Sequence, residues 1–374
     1  MSQPGPAAAP LRVGLVGANW GLTHLAAWRA VPGVDVVAVC TGHRDSAARV
    51  AAEHRVGTAY WDAADLIADP RLDVVDVTIR PALRTEMAPA AIRAGKHLMV
   101  PLPFATDDRA ARALDELARR HGVVAVVENL HRHEPALRQL RDLVTAGELG
   151  RVSMIRGHVR SDLLLNPPDP WPYEWILDPV NHASALRNFG AHLLHAVVDL
   201  AGPVAAVAAT LRRDTREVRL VGGRRVGCGV VDGAALLLRT VAGADVALDV
   251  SWCAPAAEGF AVEVVGDRGR ARVTAERLGP QHARLERAGP SDAAMTPAVI
   301  EQRYRTIPGV PGVEPDPLRP QLFPMVAMCQ RFATAVRGDG DGAAPTFAEA
   351  AHVSAVVESA YDADARRTWV DVPR

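Results

Sequence analysis

The sequence contains one lysine, Lys96, among 42 basic residues, so nearly every positive charge is a guanidinium and almost no position offers an amine. Cysteine is scarce as well. Cys40, Cys228, Cys253 and Cys329 lie far apart without a C-x-x-C pair, which argues against a zinc site or a disulfide framework and fits a reducing cytoplasm. No apolar run approaches membrane length. The segment Ser2 to Pro10 lacks a charged stretch followed by an apolar core, and residues 1–10 read as a disordered tail on a soluble protein. Aromatic residues make up 5% of the chain, the formal net charge is −1 and the basic residues are dispersed, so neither nucleic acid nor a membrane is an expected partner. What is present is apolar content: 49% hydrophobic residues in 374, enough for two ordinary domains.

The stretch Arg12 to Trp28 (RVGLVGANWGLTHLAAW) carries the strongest local signal. An apolar strand (Val13, Leu15, Val16) enters a turn holding Gly17 and Gly21, and the turn opens a helix. Such a turn lets the backbone approach a pyrophosphate, whose charge then rests on the unpaired N–H groups of the helix start. The spacing departs from G-x-G-x-x-G. Gly17-Ala-Asn-Trp-Gly21 is one residue short, with Asn19 where the middle glycine belongs and Trp20 beside it; asparagine is the next-best occupant of a left-handed position. A plain strand-to-helix turn is the competing reading.

Strands and helices then alternate: strand Val34–Cys40, helices Ser46–His54 and Asp62–Ala68, strand Leu72–Ile79, helix Leu83–Ala94, strand His97–Val100, helix Asp107–His121 and strand Val123–Val127. This pattern predicts a doubly wound parallel sheet, a Rossmann-type domain over 11–130 with ligands at the carboxyl ends of its strands. At the end of the second strand an NAD site usually places an acid on the ribose hydroxyls. Here the segment is Cys40-Thr41-Gly42-His43-Arg44, and Thr41, His43 and Arg44 suit a 2′-phosphate better than a bare diol. The expected cofactor is therefore NADP, with NAD possible in its place; the bland reading of Arg44 is a solvated helix-start residue.

Beyond Gly150 the texture changes. Strand Arg151–Val159, helix Leu186–Ala201 and antiparallel strands Val204–Leu211, Gly233–Thr240, Ala244–Trp252 and Phe260–Val265 predict an α+β domain over 131–374 with one open, mainly antiparallel sheet. Residues 277–320 read as irregular, and helices Pro324–Val336 and Thr346–Ala365 close the chain. Several of these strands are apolar on more than one side, which predicts a homodimer or homotetramer.

Four segments together resemble the glucose-fructose oxidoreductase/inositol dehydrogenase/MocA family of NAD(P)-dependent oxidoreductases: the turn with its Gly21-x-x-His24 continuation; Asp73 to Pro81, ending Ile79-Arg80-Pro81; Gly95 to Ala105, containing Pro101-Leu102-Pro103; and Leu186 to His195. The resemblance implies a Rossmann domain followed by a sheet domain that often forms the oligomer interface, with nicotinamide and substrate meeting between them. It also places Ile79, Arg80, Pro81, Pro101, Leu102, Pro103, Glu128 and Asn129 around the cofactor.

Two departures stand out. Family members typically read E-K-P where this chain has Pro101-Leu102-Pro103, so leucine occupies the place of the active-site lysine, and Lys96 should lie well over roughly 10 Å from the ligand edge. The D-x-G-x-H pattern becomes Asn188-Phe-Gly190-Ala-His192, followed by His195. At i, i+4 and i+7 these three side chains share one helix face. Asn188 can orient a hydroxyl but cannot take its proton, whereas His192 can do both; a structural histidine is the plain alternative, and it applies to His195 as well. Around the cleft, Trp171, Tyr173, Trp175 and His182 either line a ring-shaped ligand or form a small core under a long loop. Glu128, Asn129, His131 and Arg132 follow the last strand of the first domain at its ligand edge, and Arg132 is placed with the substrate. No metal site is expected. Three functions follow: a redox enzyme using NADP and His192 on a carbonyl, alcohol or imine of a small-molecule substrate; a nucleotide-binding enzyme with no net redox change; and a non-catalytic sensor.

Overall fold

The computed structural model describes residues 9–256, 259–276, 279, 282–339 and 345–373, so most of the expected tail over 1–10 lies outside the described residues. The chain runs β1 (Leu11–Val16), α1 (Gly21–Ala30), β2 (Val34–Cys40), α2 (Arg44–Glu53), β3 (Thr58–Tyr60), α3 (Ala63–Ala68), β4 (Val74–Val77), α4 (Pro81–Arg93), β5 (His97–Pro101), α5 (Asp108–His121) and β6 (Ala125–Glu128). It continues through α6 (Pro135–Thr145), β7 (Val152–Arg160), α7 (Ala191–Ala201), β8 (Val204–Arg212), β9 (Glu217–Arg219), β10 (Arg225–Gly227), β11 (Gly233–Thr240), β12 (Asp245–Ser251), β13 (Gly259–Gly266), β14 (Arg270–Ala275), β15 (Arg284–Ala288) and β16 (Thr296–Ala298). Helices α8 (Leu322–Val336) and α9 (Phe347–Arg366) and the short β17 (Val370–Asp371) end it.

The first six strands form a parallel sheet in the order β3-β2-β1-β4-β5-β6. These strands are apolar throughout because both faces are covered. Ala27 and Trp28 of α1 and Phe323, Met325, Phe332 and Ala333 of α8 bury one face against Val13, Val74, Met99 and Val126. Leu66, Ile92 and Ala111 of α3, α4 and α5, joined by Phe347 and Ala350 of α9, bury the other against Val75, Val77, Leu98 and Val127. Helix α8, far along the chain, thus packs into the first domain. Helix α9 serves both domains: its first turn lies in this core, while Val353, Val356 and Ala360 belong to the core of the second.

The second sheet has nine strands in the order β16-β15-β14-β13-β7-β12-β11-β8-β17. All pairings are antiparallel except β7 with β12. Residues of α6, α7 and α9 (Leu140, Leu193, Val197, Val356) fill one face. The strict alternation of β11, with Ala235, Leu237 and Arg239 exposed between buried neighbours, shows the other face open to solvent. The segment 277–320, expected to be irregular, contributes β15 and β16 to this sheet. Arginine and glutamate at every second position of β15 (Arg284, Glu286) masked its period-2 pattern, and those charges are satisfied across strands, as in Arg272–Glu286 at 2.7 Å. Helix α6 and strands β3, β9, β10, β14 and β17 were also outside the sequence-based expectation. Among the described residues no helix is long and apolar enough to cross a membrane.

Candidate active site

The turn after β1 is built so that only glycine fits. Gly17 has φ +101°, and a Cβ there would stand 2.7 Å from Thr78 Oγ1 and 2.9 Å from Thr78 O; at Gly21 a Cβ would stand 2.6 Å from the same hydroxyl. Thr78, from the end of β4, donates its hydroxyl hydrogen to Val16 O at 2.8 Å and so draws β4 against the turn. Asn19 departs from expectation: it is exposed and has no positive φ, because Gly17 alone supplies the left-handed step in the shorter turn. Helix α1 starts at Gly21 with no acidic residue in its first turn, which leaves its positive end free for an anion.

To one side of the turn, Thr41 and Ser46 share a hydrogen bond of 2.6 Å at the end of β2, with His43 exposed as the residue before α2. Arg44 lies over the ring of Trp61 at 5.1 Å. Trp61, half exposed just beyond β3, carried no sequence signal because it joins the site only through the β2–β3 pairing. Ile79, Arg80 and Pro81 lead from β4 into α4, with Ile79 against Gly17 and Pro81 in the first turn of the helix.

To the other side, Pro101-Leu102-Pro103 is held by a residue that sequence reasoning missed. Arg84 of α4 is buried and donates to Pro101 O at 2.8 Å and to Pro103 O. Burial pushes its guanidinium down to about 9. Leu102 packs against the cores of both domains. Lys96 sits before the start of β5, at the opposite end from Leu102, where Nζ donates to Asp69 O and Leu72 O at 2.8 and 2.7 Å. The chain's one amine is thus spent on backbone carbonyls.

The histidines converge where the domains meet, but not as a simple helix predicts. Residues Leu186–Gly190 form a π turn before α7, which breaks the 3.6-residue period between Asn188 and His192. Asn188 is half-buried on that turn. His192 Nδ1 makes a long 3.4 Å contact with Asn129 Oδ1, and its ring lies 4.5 Å from that of His131. Burial, then the neighbouring His131 and His195, hold His192 well below the usual imidazole range; burial alone pushes His131 down to about 3. His195 faces elsewhere. It is fully buried, with Nδ1 2.6 Å from Glu349 Oε1 of α9. Arg132, expected at a substrate, lines a small cavity with Asn129, His131 and His192, and it also donates to the same Glu349 at 2.7 Å and lies 3.4 Å from Asp199 Oδ1.

Trp171, Tyr173 and Trp175 are half-buried and pack against the core of the second domain, and burial, then the nearby Glu128 carboxyl of the first domain, raise the proton affinity of the Tyr173 hydroxyl. The strap formed by residues 171–182 is pinned by Asn181, whose Nδ2 donates to Trp175 O at 2.9 Å, and His182 follows with φ +53°. On the first domain, Glu128 ends β6 with Oε2 accepting from Trp20 Nε1 at 3.1 Å. Among the described residues no cluster suited to a metal ion occurs.

A doubly wound sheet with an anion-ready glycine turn, facing a mixed-sheet domain that brings a histidine to the shared cleft, defines a two-domain nucleotide-dependent oxidoreductase. Comparison with known proteins fixes the class further. Residues 11–129 match the family described as "Oxidoreductase family, NAD-binding Rossmann fold", and residues 137–272 match "GFO/IDH/MocA C-terminal domain". The chain belongs to the Gfo/Idh/MocA family of oxidoreductases. It is 25% identical over 391 residues to levoglucosan dehydrogenase of Pseudarthrobacter phenanthrenivorans, covering 97% of this chain and 98% of that one. It is 34% identical over 142 residues to 1,5-anhydro-D-fructose reductase of Ensifer adhaerens, covering 37% and 42% of the two chains. The solved structure of levoglucosan dehydrogenase with NADH and levoglucosan has the same fold, with a TM-score of 0.85 at 24% identity over 98% of this chain and all of that one.

The glycine turn yields a direct expectation. Gly17→Ala forces a left-handed alanine into Thr78 and should weaken binding of nicotinamide dinucleotide by about tenfold or more. Gly227→Ala, where a Cβ meets nothing within 4 Å, should leave affinity within about twofold. Calorimetric titration distinguishes them; equal affinities would contradict the turn's role.

Proposed function

We propose that the protein is an NAD(P)-dependent oxidoreductase acting on a small polar, sugar-like or cyclic metabolite, with His192 as the acid/base group. The observation that carries this reading is His192 itself: a half-buried imidazole in contact with Asn129 where the glycine-turn domain meets the sheet domain. The names of the relatives support a ring-shaped polyol substrate, since levoglucosan, 1,5-anhydro-D-fructose and D-apiose are all of that kind.

The residues present fit a dinucleotide: Gly17 and Gly21 let the turn close against Thr78, the first turn of α1 carries no acidic residue to repel a phosphate, and buried Glu128 Oε1 lacks a hydrogen-bond partner. When bound, the nicotinamide supplies the hydride acceptor or donor. With Asn129 Oδ1 accepting from Nδ1–H, His192 keeps the lone pair of Nε2 for a substrate hydroxyl proton. Its lowered proton affinity keeps it neutral at pH 7, ready to act as base in the oxidising direction. Leu102 presents no donor, so His192 handles the proton that the family's lysine usually would. That same loss, with Asn188 in place of an acid, favours one second reading: a reaction with no net redox change.

His192→Ala should lower turnover by about 10²- to 10⁴-fold while nucleotide affinity stays within about threefold. Full activity of the variant on the same substrate would remove His192 from the mechanism. Asn188→Ala should cost less.

For the cofactor we infer a preference for NADP(H), because the β2 turn offers Thr41, His43 and Arg44 and no acid before Asp45. Arg44→Ala should weaken NADPH binding by about tenfold and leave NADH binding nearly unchanged, as expected for one charge-assisted phosphate contact. NADH binding as tightly as NADPH in the parent protein would instead assign Asp45 to the ribose hydroxyls.

The open face of the second sheet carries Leu237 and Trp369 exposed among Arg156, Asp249 and Arg272, and we propose that a second copy of the chain covers it. Sedimentation should show a dimer or tetramer at micromolar concentration; a stable monomer would refute this.

A further inference from the structure

Glu128 pairs in register with Pro101 at the carboxyl end of the parallel sheet, on the opposite side of β1 from the Thr41–Arg44 turn. A dinucleotide with its phosphates on the glycine turn and its adenosine end near Arg44 extends its nicotinamide toward this edge. Glu128 is only 4% exposed. Its Oε2 accepts from Trp20 Nε1 and lies 4.0 Å from His24 Nε2, while its Oε1 is buried without a partner. Beneath it, the fully buried Asp76 accepts from His24 Nδ1 and Trp28 Nε1, both at 2.8 Å.

A buried carboxyl with one oxygen orphaned beside a ligand edge is an incomplete arrangement. The group expected at that edge changes charge during function, because an oxidised nicotinamide ring is cationic and a reduced one is neutral. We propose that Glu128 answers this change: it is ionised beside the oxidised ring and protonated beside the reduced ring, so that one proton is exchanged with solvent as the redox state of the bound nucleotide changes. The inference rests on the nucleotide-dependent reading above and deepens it, since it assigns a partner to the cofactor's charge.

The surroundings suit this role. Burial pushes the Glu128 carboxyl up to about 7; His24 and the Trp20 hydrogen bond oppose the rise, Asp76 adds to it, and the Leu130 backbone N–H opposes it slightly. Burial disfavours a proton on His24, but the Asp76 carboxylate outweighs it and raises its proton affinity. The other groups facing Glu128 are Tyr173 from the strap, Arg84 from α4 and Cys329 from α8. A nearby positive ring favours the carboxylate, and a neutral ring excluding water favours the acid. Rising pH through 7 should therefore tighten the oxidised nucleotide and loosen the reduced one.

The test needs no substrate. The ratio of Kd for NADP+ to Kd for NADPH, measured by calorimetry from about pH 6 to about pH 8, should fall by up to about tenfold per pH unit. The 2′-phosphate is common to both nucleotides and cancels in the ratio. Glu128→Gln preserves shape but cannot titrate, and should flatten the dependence. A ratio independent of pH in the parent protein, or an unchanged slope in Glu128→Gln, overturns the inference while leaving nucleotide binding intact. Should Glu128→Gln fail to fold, the parent protein titrated at pH 7 in buffers of different ionisation enthalpy gives the proton count directly. Release with NADP+ and uptake with NADPH support the inference, and equal counts refute it. Absence of binding of either nucleotide would overturn the nucleotide reading and this inference with it.

Discussion

The site depends on one buried carboxylate. Asp76 stands in the middle of a strand otherwise made of valine, fully removed from water, where a carboxyl is costly unless hydrogen-bonded; its Oδ2 is bonded twice, while its Oδ1 has no partner. Its partners both come from α1, one turn apart: His24 and Trp28 donate to the same oxygen. This fixes both the rotation and the height of α1 on the sheet. The glycine turn immediately before that helix is then held against Thr78, two residues beyond Asp76 on the same strand. Trp28 completes the link by packing edge-on against Phe332 of α8, with ring centroids 5.8 Å apart. The same anchor sets Trp20 over Glu128 and His24 beside it, which ties the phosphate turn to the far end of the ligand edge.

A second constraint joins the domains. Glu349, in the first turn of α9, accepts from Arg132, which follows the last strand of the first domain, and sits against His195 of α7. Because α9 contributes to both cores, this network places α7 relative to the parallel sheet, and His192 one turn away inherits that placement. Burial favours a neutral carboxyl at Glu349, but its hydrogen bond and charge contact with His195, together with Arg132, prevail and hold it below the usual carboxylate range. His195 is fully buried, whereas Arg132 also lines a small cavity beside Asn129, His131 and His192.

Much of the fold was legible because its elements are locally consistent. The valine-rich strands alternating with helices announced the parallel sheet, and the last helix, expected over Thr346–Ala365, runs Phe347–Arg366, with the Thr346 side chain accepting from Glu349 N as its cap. The second sheet was read as mainly antiparallel, and only the β7–β12 pair runs parallel. What escaped notice depended on distant partners. Asp76 looks like one polar residue in an apolar run until His24 and Trp28 meet it, and Arg84 looks like a surface residue of α4 until the Pro101–Pro103 segment folds over it. The shared-face argument for Asn188, His192 and His195 assumed a regular helix, and the π turn at Leu186–Gly190 removed its premise. The segment that carries His192 nevertheless stood out in the sequence, since it matches the family motif. The competing readings of Trp171, Tyr173 and Trp175 were not separable from composition, because aromatic residues serve a loop core and a ring-shaped ligand through the same surfaces.

The central claim is that the cleft moves hydride to or from carbon, despite holding leucine where the family's lysine usually stands. Turnover of a sugar-derived ketone with NADPH deuterated at nicotinamide C4, read by mass spectrometry of the released product, tests it most directly. The account predicts deuterium on the new carbinol carbon, with one equivalent of NADP+ formed for each product. Unlabelled product formed with the nucleotide unchanged would contradict it and place the chemistry among reactions without net redox change.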